Sequence, residues 1–150
     1  MKMRMATMLM LLLNDVIKYK TGYRHQLAED YTIRTGIFPA AAITEDFIQM
    51  DRDGLLTIKK GYAWDGASGI AIDTHTFMRG SLVHDALYQL MQDKKLSRSW
   101  RKSADELLVR ICKEDGMGEL RAWYVLKAVR AFGEQYADAR DDSDRIKIAP

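Results

Sequence analysis

The sequence has one cysteine, two prolines, almost no imbalance of charge, and no apolar run long enough to cross a bilayer. Each shortage excludes something. A single thiol, Cys112, rules out an internal disulfide framework and any site built from several thiolates. It lies inside an apolar helical pattern, which suits a buried structural thiol rather than a nucleophile. The 23 basic and 21 acidic residues are interspersed and leave a formal charge of +2, so no field of one sign calls for a nucleic acid, and none is expected as a partner. The longest apolar stretch, Met5 to Leu13, is far short of the roughly 20 residues a transmembrane helix needs. Lys2 and Arg4 before it imitate the start of a secretory signal, but Leu11 to Leu13 run straight into Asn14 and Asp15 with no small-residue cleavage site. A buried or membrane-surface segment is the expectation there, and a cytoplasmic or virion-associated protein is favoured over an exported one. What remains is 150 residues, 47% hydrophobic and 29% charged, enough for one domain with a real core.

The pattern along the chain reads as α+β, a small N-terminal antiparallel sheet followed by three helices. Residues 1–140 form a single domain: an apolar segment at 1–15, a β-rich part at 16–62, a glycine-rich loop at 63–80 and a helical part at 81–138, with a polar tail at 141–150. In the β-rich part, Phe47 to Trp64 holds two short alternating runs split by Asp53-Gly54, a hairpin signal. Pro39 and Ala40 to Ala42 mark a connection. In the helical part, Ser81 is placed to cap a helix carrying Leu82, Val83, Ala86, Leu87, Leu90 and Met91. A second helical pattern runs from Leu96 to Asp115. After Gly116 and Gly118 a third runs through Leu120, Trp123, Tyr124, Ala128, Val129 and Phe132, with Trp100, Trp123 and Phe132 as expected core anchors.

The stretch "GSLVHDALYQLM", Gly80 to Met91, carries the chemistry. At about 100° per residue its six apolar side chains fill one half of the helical wheel, and His84, Asp85, Tyr88 and Gln89 fill the other. Solvent-facing halves are usually furnished with Lys, Glu and Arg. This one has none, so something should cover it. The next helix, returning antiparallel, offers Asp105, a carboxylate suited to orient the His84 imidazole as a general base requires. Asp85 points about 100° away and could serve a cation with the loop "WDGASG", where Asp65 is a further carboxylate and glycine lets carbonyls turn inward. His25, in the β-rich part, reads as a surface residue. Asp73 and His75 could join His84 and Asp85 as a His/Asp site for zinc or manganese, although Asp73 could equally cap a turn.

These pieces, "GYAWDGASG", "HDALY" and "SADELL" in that order, resemble the phospholipase A2 superfamily. That resemblance implies an antiparallel helical pair in which His84 deprotonates an attacking water, Asp105 orients it, and Tyr88 hydrogen-bonds Asp105. It further implies a calcium ion held by Asp85 and by the loop around Trp64, Asp65, Gly66 and Gly69. The loop departs from the Tyr-x-Gly-x-Gly such enzymes favour, and the disulfides that staple secreted members are absent. Over residues 45–133 the chain is also similar to an uncharacterised family of phages and bacteria, through Gly61 to Ser68, His84 to Tyr88, Ala104-Asp105 and Ala128 to Gly133. The expected function is thus calcium-dependent hydrolysis of lipid esters at a phospholipid or membrane surface. Two other readings stand beside it: a phage structural or assembly protein, bound to other phage proteins, in which His84, Asp105 and Tyr88 clamp two helices, and a metal-dependent hydrolase of another bond such as a cell-wall amide.

Overall fold

The structure, a computed structural model, describes residues 19–20, 25–64 and 75–137, with the backbone alone for 19–20 and 132–137. Its strands are short. In chain order they are β1 (Tyr19–Lys20), β2 (His25–Leu27), β3 (Tyr31–Arg34), β4 (Ile43–Thr44), β5 (Ile48–Met50), β6 (Leu55–Ile58) and β7 (Ala63–Trp64). They make two antiparallel sheets: three strands in the order β1-β2-β7, and four in the order β3-β6-β5-β4. Alternation in the sequence sets the register. Leu56 and Ile58 of β6, and Ile48 and Met50 of β5, are buried while their neighbours are not, as expected for strands with one face on a core.

The β5–β6 hairpin turns at Asp51 to Gly54, where the Gly54 N–H donates to the Asp51 carbonyl at 3.0 Å. Gly54 is at φ +82°, and a Cβ there would come within 2.7 Å of the Ile37 carbonyl, so the turn requires glycine twice over. Pro39 to Ala42 link β3 to β4.

Three α-helices follow among the described residues: α1 (His75–Gln92), α2 (Arg101–Glu114) and α3 (Glu119–Ala137). A 3-10 turn at Arg98–Trp100, capped by Ser97, leads into α2. Helix α1 is the centre of the molecule. Its Leu82, Val83, Ala86, Leu87 and Leu90 pack with Ile48, Leu56 and Ile58 from the strands, with Tyr62 just before β7, and with Ala104, Leu107 and Ile111 from α2. A second cluster of Phe77, Leu108, Cys112, Met117, Ala122, Val125 and Val129 attaches α3. Each fully buried aliphatic side chain of this kind contributes about 1.5–3 kcal/mol. At Gly80 the seam between α1 and α2 is tight, since a Cβ there would lie 2.9 Å from both Cys112 Sγ and Leu108 Cδ1.

Several sequence expectations are corrected. The helix bearing His84 starts at His75 rather than 81, and Ala63–Trp64 is a strand, so the loop expected over 63–80 is shorter at both ends. Gly80 had suggested a loop, whereas it serves helix–helix contact. Ser81 is therefore no cap: inside α1 its hydroxyl donates to the Met78 carbonyl at 2.9 Å. The third helix turns a face rotated from the expected one inward. Trp123 is 56% exposed, with Leu120 and Tyr124 also exposed, and α3 packs through Ala122 and Val125 beside the expected Val129. Periodicity located an apolar stripe but could not say that the smaller residues beside it fit the space left by Leu108 and Cys112. Trp100 is half-buried against the main core. The side chain of Phe132, the N-terminal segment 1–15 and the tail 141–150 lie outside the described residues.

Candidate functional site

Helices α1 and α2 run antiparallel, so residues late in α1 face residues early in α2. His84 and Tyr88, one turn apart on α1, share a face, with ring centroids 4.1 Å apart. Opposite them stands Asp105 of α2, wholly buried at 0% exposure. His84 Nε2 and Asp105 Oδ1 are 2.8 Å apart, and the Tyr88 hydroxyl donates to the same oxygen at 2.6 Å. The structure thus brings together the three side chains that the sequence had singled out.

The cluster is incomplete in one respect. Asp105 Oδ2 is buried and has no hydrogen-bond partner among the described residues. So does Nη1 of Arg101, one turn before Asp105 on α2. Burial, then the hydrogen bond to Asp105 and the charge of that carboxylate, push the Tyr88 phenol well above its ordinary range, with Arg101 pulling the other way. Tyr88 is therefore a fixed donor, and it cannot act as a base near neutral pH. With Nε2 occupied, Nδ1 is the His84 nitrogen that remains for another partner, and the His84 side chain keeps 11% of its surface exposed. An imidazole with one nitrogen held by a buried carboxylate and the other open can take a proton from water or a hydroxyl.

Trp64, at the end of β7, donates from Nε1 to Ser81 Oγ at 3.0 Å, which ties β7 to α1 one turn before His84. His25, paired with Trp64 across β2 and β7, is buried at 8% exposure, not on the surface as its sequence context suggested.

The expected metal ligands fare unevenly. Asp85 is half-buried and engaged with neighbouring groups, and Trp64 is described, whereas Asp65, Gly66 and Gly69 lie outside the described residues, as does Asp73. His75 opens α1 nine positions before His84, about 13 Å along the axis, so these two histidines cannot share one ion. Among the described residues no three His, Cys, Asp or Glu side chains converge as a metal site.

A second polar cluster was not anticipated. Arg79, 3% exposed, donates from Nε and Nη2 to Asp115 at 2.8–3.1 Å, from Nη2 to Glu114 at 3.0 Å and from Nη1 to the Tyr31 hydroxyl at 3.0 Å. Burial disfavours its charge, but these bonds outweigh it and hold its pKa above the ordinary value. An uninterrupted helical reading through Gly80 would have placed Arg79 on the inward side of α1, and that was the available signal.

A family model described as a protein of unknown function (DUF1353) matches residues 41–129, which takes in His84, Tyr88 and Asp105. No curated protein and no solved structure matches the chain.

Proposed function

Since the chain belongs to the DUF1353 family, whose description names no activity, we propose its function from the site: a hydrolase with His84 as general base, acting on lipid esters. The observation that carries this reading is the bond from His84 Nε2 to a fully buried carboxylate that Tyr88 also holds. Asp105 would fix the tautomer with the proton on Nε2 and stabilise the imidazolium once Nδ1 has taken a proton from water. The water would then attack the ester carbonyl, and His84 would return the proton to the leaving alkoxide. A base so placed contributes about 10²- to 10⁴-fold. Calcium, held by Asp85 with the loop around Trp64, Asp65, Gly66 and Gly69, would supply stabilisation of the oxyanion when bound. The resemblance of "HDALY" and "SADELL" to phospholipase A2 enzymes supports the choice of lipid esters.

A second reading has its own support. Asp105 at 0%, Tyr88 at 5% and His84 at 9% exposure are enclosed enough to act as a polar clamp between α1 and α2 in a non-enzymatic structural or assembly protein. One experiment separates the two. Fatty-acid release from anionic phospholipid vesicles is measured with calcium and with chelator, for the wild type, His84→Gln and Asp105→Asn. Calcium-dependent release that both variants abolish supports the hydrolase. A folded wild type that releases nothing at any vesicle composition removes that reading and leaves the clamp. Calorimetric titration with calcium, zinc and manganese tests the metal separately.

A further inference from the structure

A groove of about 610 Å³ lies away from the His84 cluster, between the β3–β4 connection with β4 on one side and the turn from α1 into α2 on the other. Its size falls within the roughly 300–1,000 Å³ range of ligand-holding clefts. Three features of its walls converge on one class of ligand.

The first is an open strand. β4 is the outermost strand of the four-stranded sheet and pairs with β5 alone. Half of the N–H and C=O groups in β4 therefore point away from the sheet with no ladder partner among the described residues, and Ile43, Thr44 and Glu45 line the groove. The second is an aromatic corner. Phe38 and Trp100 meet edge to face at 6.3 Å and 74°, and Phe38 is 55% exposed, an apolar seat for one side chain of an incoming segment. The third is charge at the mouth. Lys95 reaches Glu45 across the groove at 3.6 Å, while Lys94 is exposed and makes no ion pair among the described residues. Lys94 also adopts φ +58°, the left-handed conformation in which a helix usually ends on glycine. A lysine there carries a backbone penalty that glycine would avoid, and it adds an exposed cationic residue to the groove's lining.

We infer that this groove binds an extended acidic peptide segment, which adds a strand to the β4 edge, seats an apolar side chain between Phe38 and Trp100, and places a carboxylate at Lys94. The open edge selects an extended backbone, the aromatic corner an apolar residue at alternate positions, and the lysine a negative charge. The far wall from Lys94 to Ser97 sits opposite β4 and favours a single chain over the edge of a second sheet.

The full-length protein is titrated with the peptide acetyl-Asp-Leu-Asp-Leu-Asp-amide and with its lysine counterpart, and the backbone amides are followed by NMR. The expected result is shifts at Ala42 to Glu45, with exchange slowed at Thr44, for the acidic peptide and none with the basic one; the Glu45 N–H already donates to the Ile48 carbonyl at 2.9 Å. Lys94→Gly should weaken acidic-peptide binding roughly two- to five-fold, the scale of one exposed ion pair. It should also leave the melting temperature unchanged or raised, because glycine takes that backbone conformation freely. Thr44→Pro, which removes a donor from the edge strand, is a second variant expected to abolish binding. Unchanged amides at 42–45 up to millimolar peptide, or equal binding of the basic peptide, would overturn the inference. So would protection of those amides that rises with protein concentration in the absence of peptide, which would assign the edge to a second copy of the chain. Displacement of the acidic peptide by single-stranded oligothymidylate would likewise assign the groove to nucleic acid.

Discussion

Helix α1 presents two polar clusters to α2, and they treat the same problem in opposite ways. Around Arg79 every guanidinium nitrogen is bonded, to Asp115, Glu114 or Tyr31, and two carboxylates at the end of α2 match one buried cation. Around His84 a wholly buried carboxylate spends one oxygen on two partners and leaves the other without any among the described residues. Buried polar groups are normally satisfied, because an unmade bond in the interior costs about 1–3 kcal/mol. The Arg79 cluster follows that rule and reads as a fastening between α1, α2 and β3. The His84 cluster departs from it, and such departures gather where a group must be free to meet something else.

The largest effect should come from the satisfied cluster. Arg79→Met strands Asp115 and the Tyr31 hydroxyl, and breaking a buried pair on one side costs about 3–5 kcal/mol. Asp115 and Glu114 keep side-chain exposures of 18% and 50%, which places the expected loss at the lower end. Urea denaturation measures it, and a loss under about 1 kcal/mol would erase the contrast between the clusters. In the other cluster, Asp105→Asn retains shape and an acceptor for Tyr88. Stability should stay within about 1 kcal/mol of wild type, while the ester hydrolysis proposed above would fall about 10²-fold or more. Should Asp105→Asn instead lose as much stability as Arg79→Met and no activity, the two clusters are both fastenings.

The seam between them can be probed through Cys112. Burial, then the charge of Asp115, pushes its thiol up to about 12, so at pH 8 almost no thiolate is present. Folded protein should resist iodoacetamide and react fully in denaturant, as mass spectrometry would record. Rapid native labelling would mean that α1 and α2 separate easily at Gly80. The smallest effect belongs to a surface contrast, Asp30, whose carboxylate accepts from the Lys60 N–H at 2.8 Å and from Lys59 Nζ at 3.2 Å. The backbone bond holds its pKa below the ordinary 3.8 against the opposing effect of burial, with the bond and charge of Lys59 adding to it. A lowered folded-state pKa stabilises the fold above the ordinary value and loses that contribution as the pH falls through the folded one. Asp30→Asn should therefore cost a few tenths of a kcal/mol near neutrality and nothing in strong acid, readable as converging melting temperatures.

Much of this was legible without coordinates. The α+β order, the Asp53-Gly54 hairpin and the pairing of His84 with Asp105 follow from local periodicity and from a helix half without Lys, Glu or Arg, whereas the bond from Tyr88 to Asp105 came from the family resemblance alone. Arg79 was not legible, because Gly80 reads locally as a loop and becomes helical only where Leu108 and Cys112 demand close approach. Trp123 and His25 failed for a similar reason, since burial depends on which neighbour arrives and not on residue type.

The sequence by itself determined the elements and the side chains that share a face, because backbone geometry fixes which positions along one segment point together. The tertiary structure alone decided which of those faces are satisfied. Whether Arg79 finds two carboxylates, or Asp105 keeps an oxygen unbonded among the described residues, depends on groups distant in the chain that meet when α2 packs on α1.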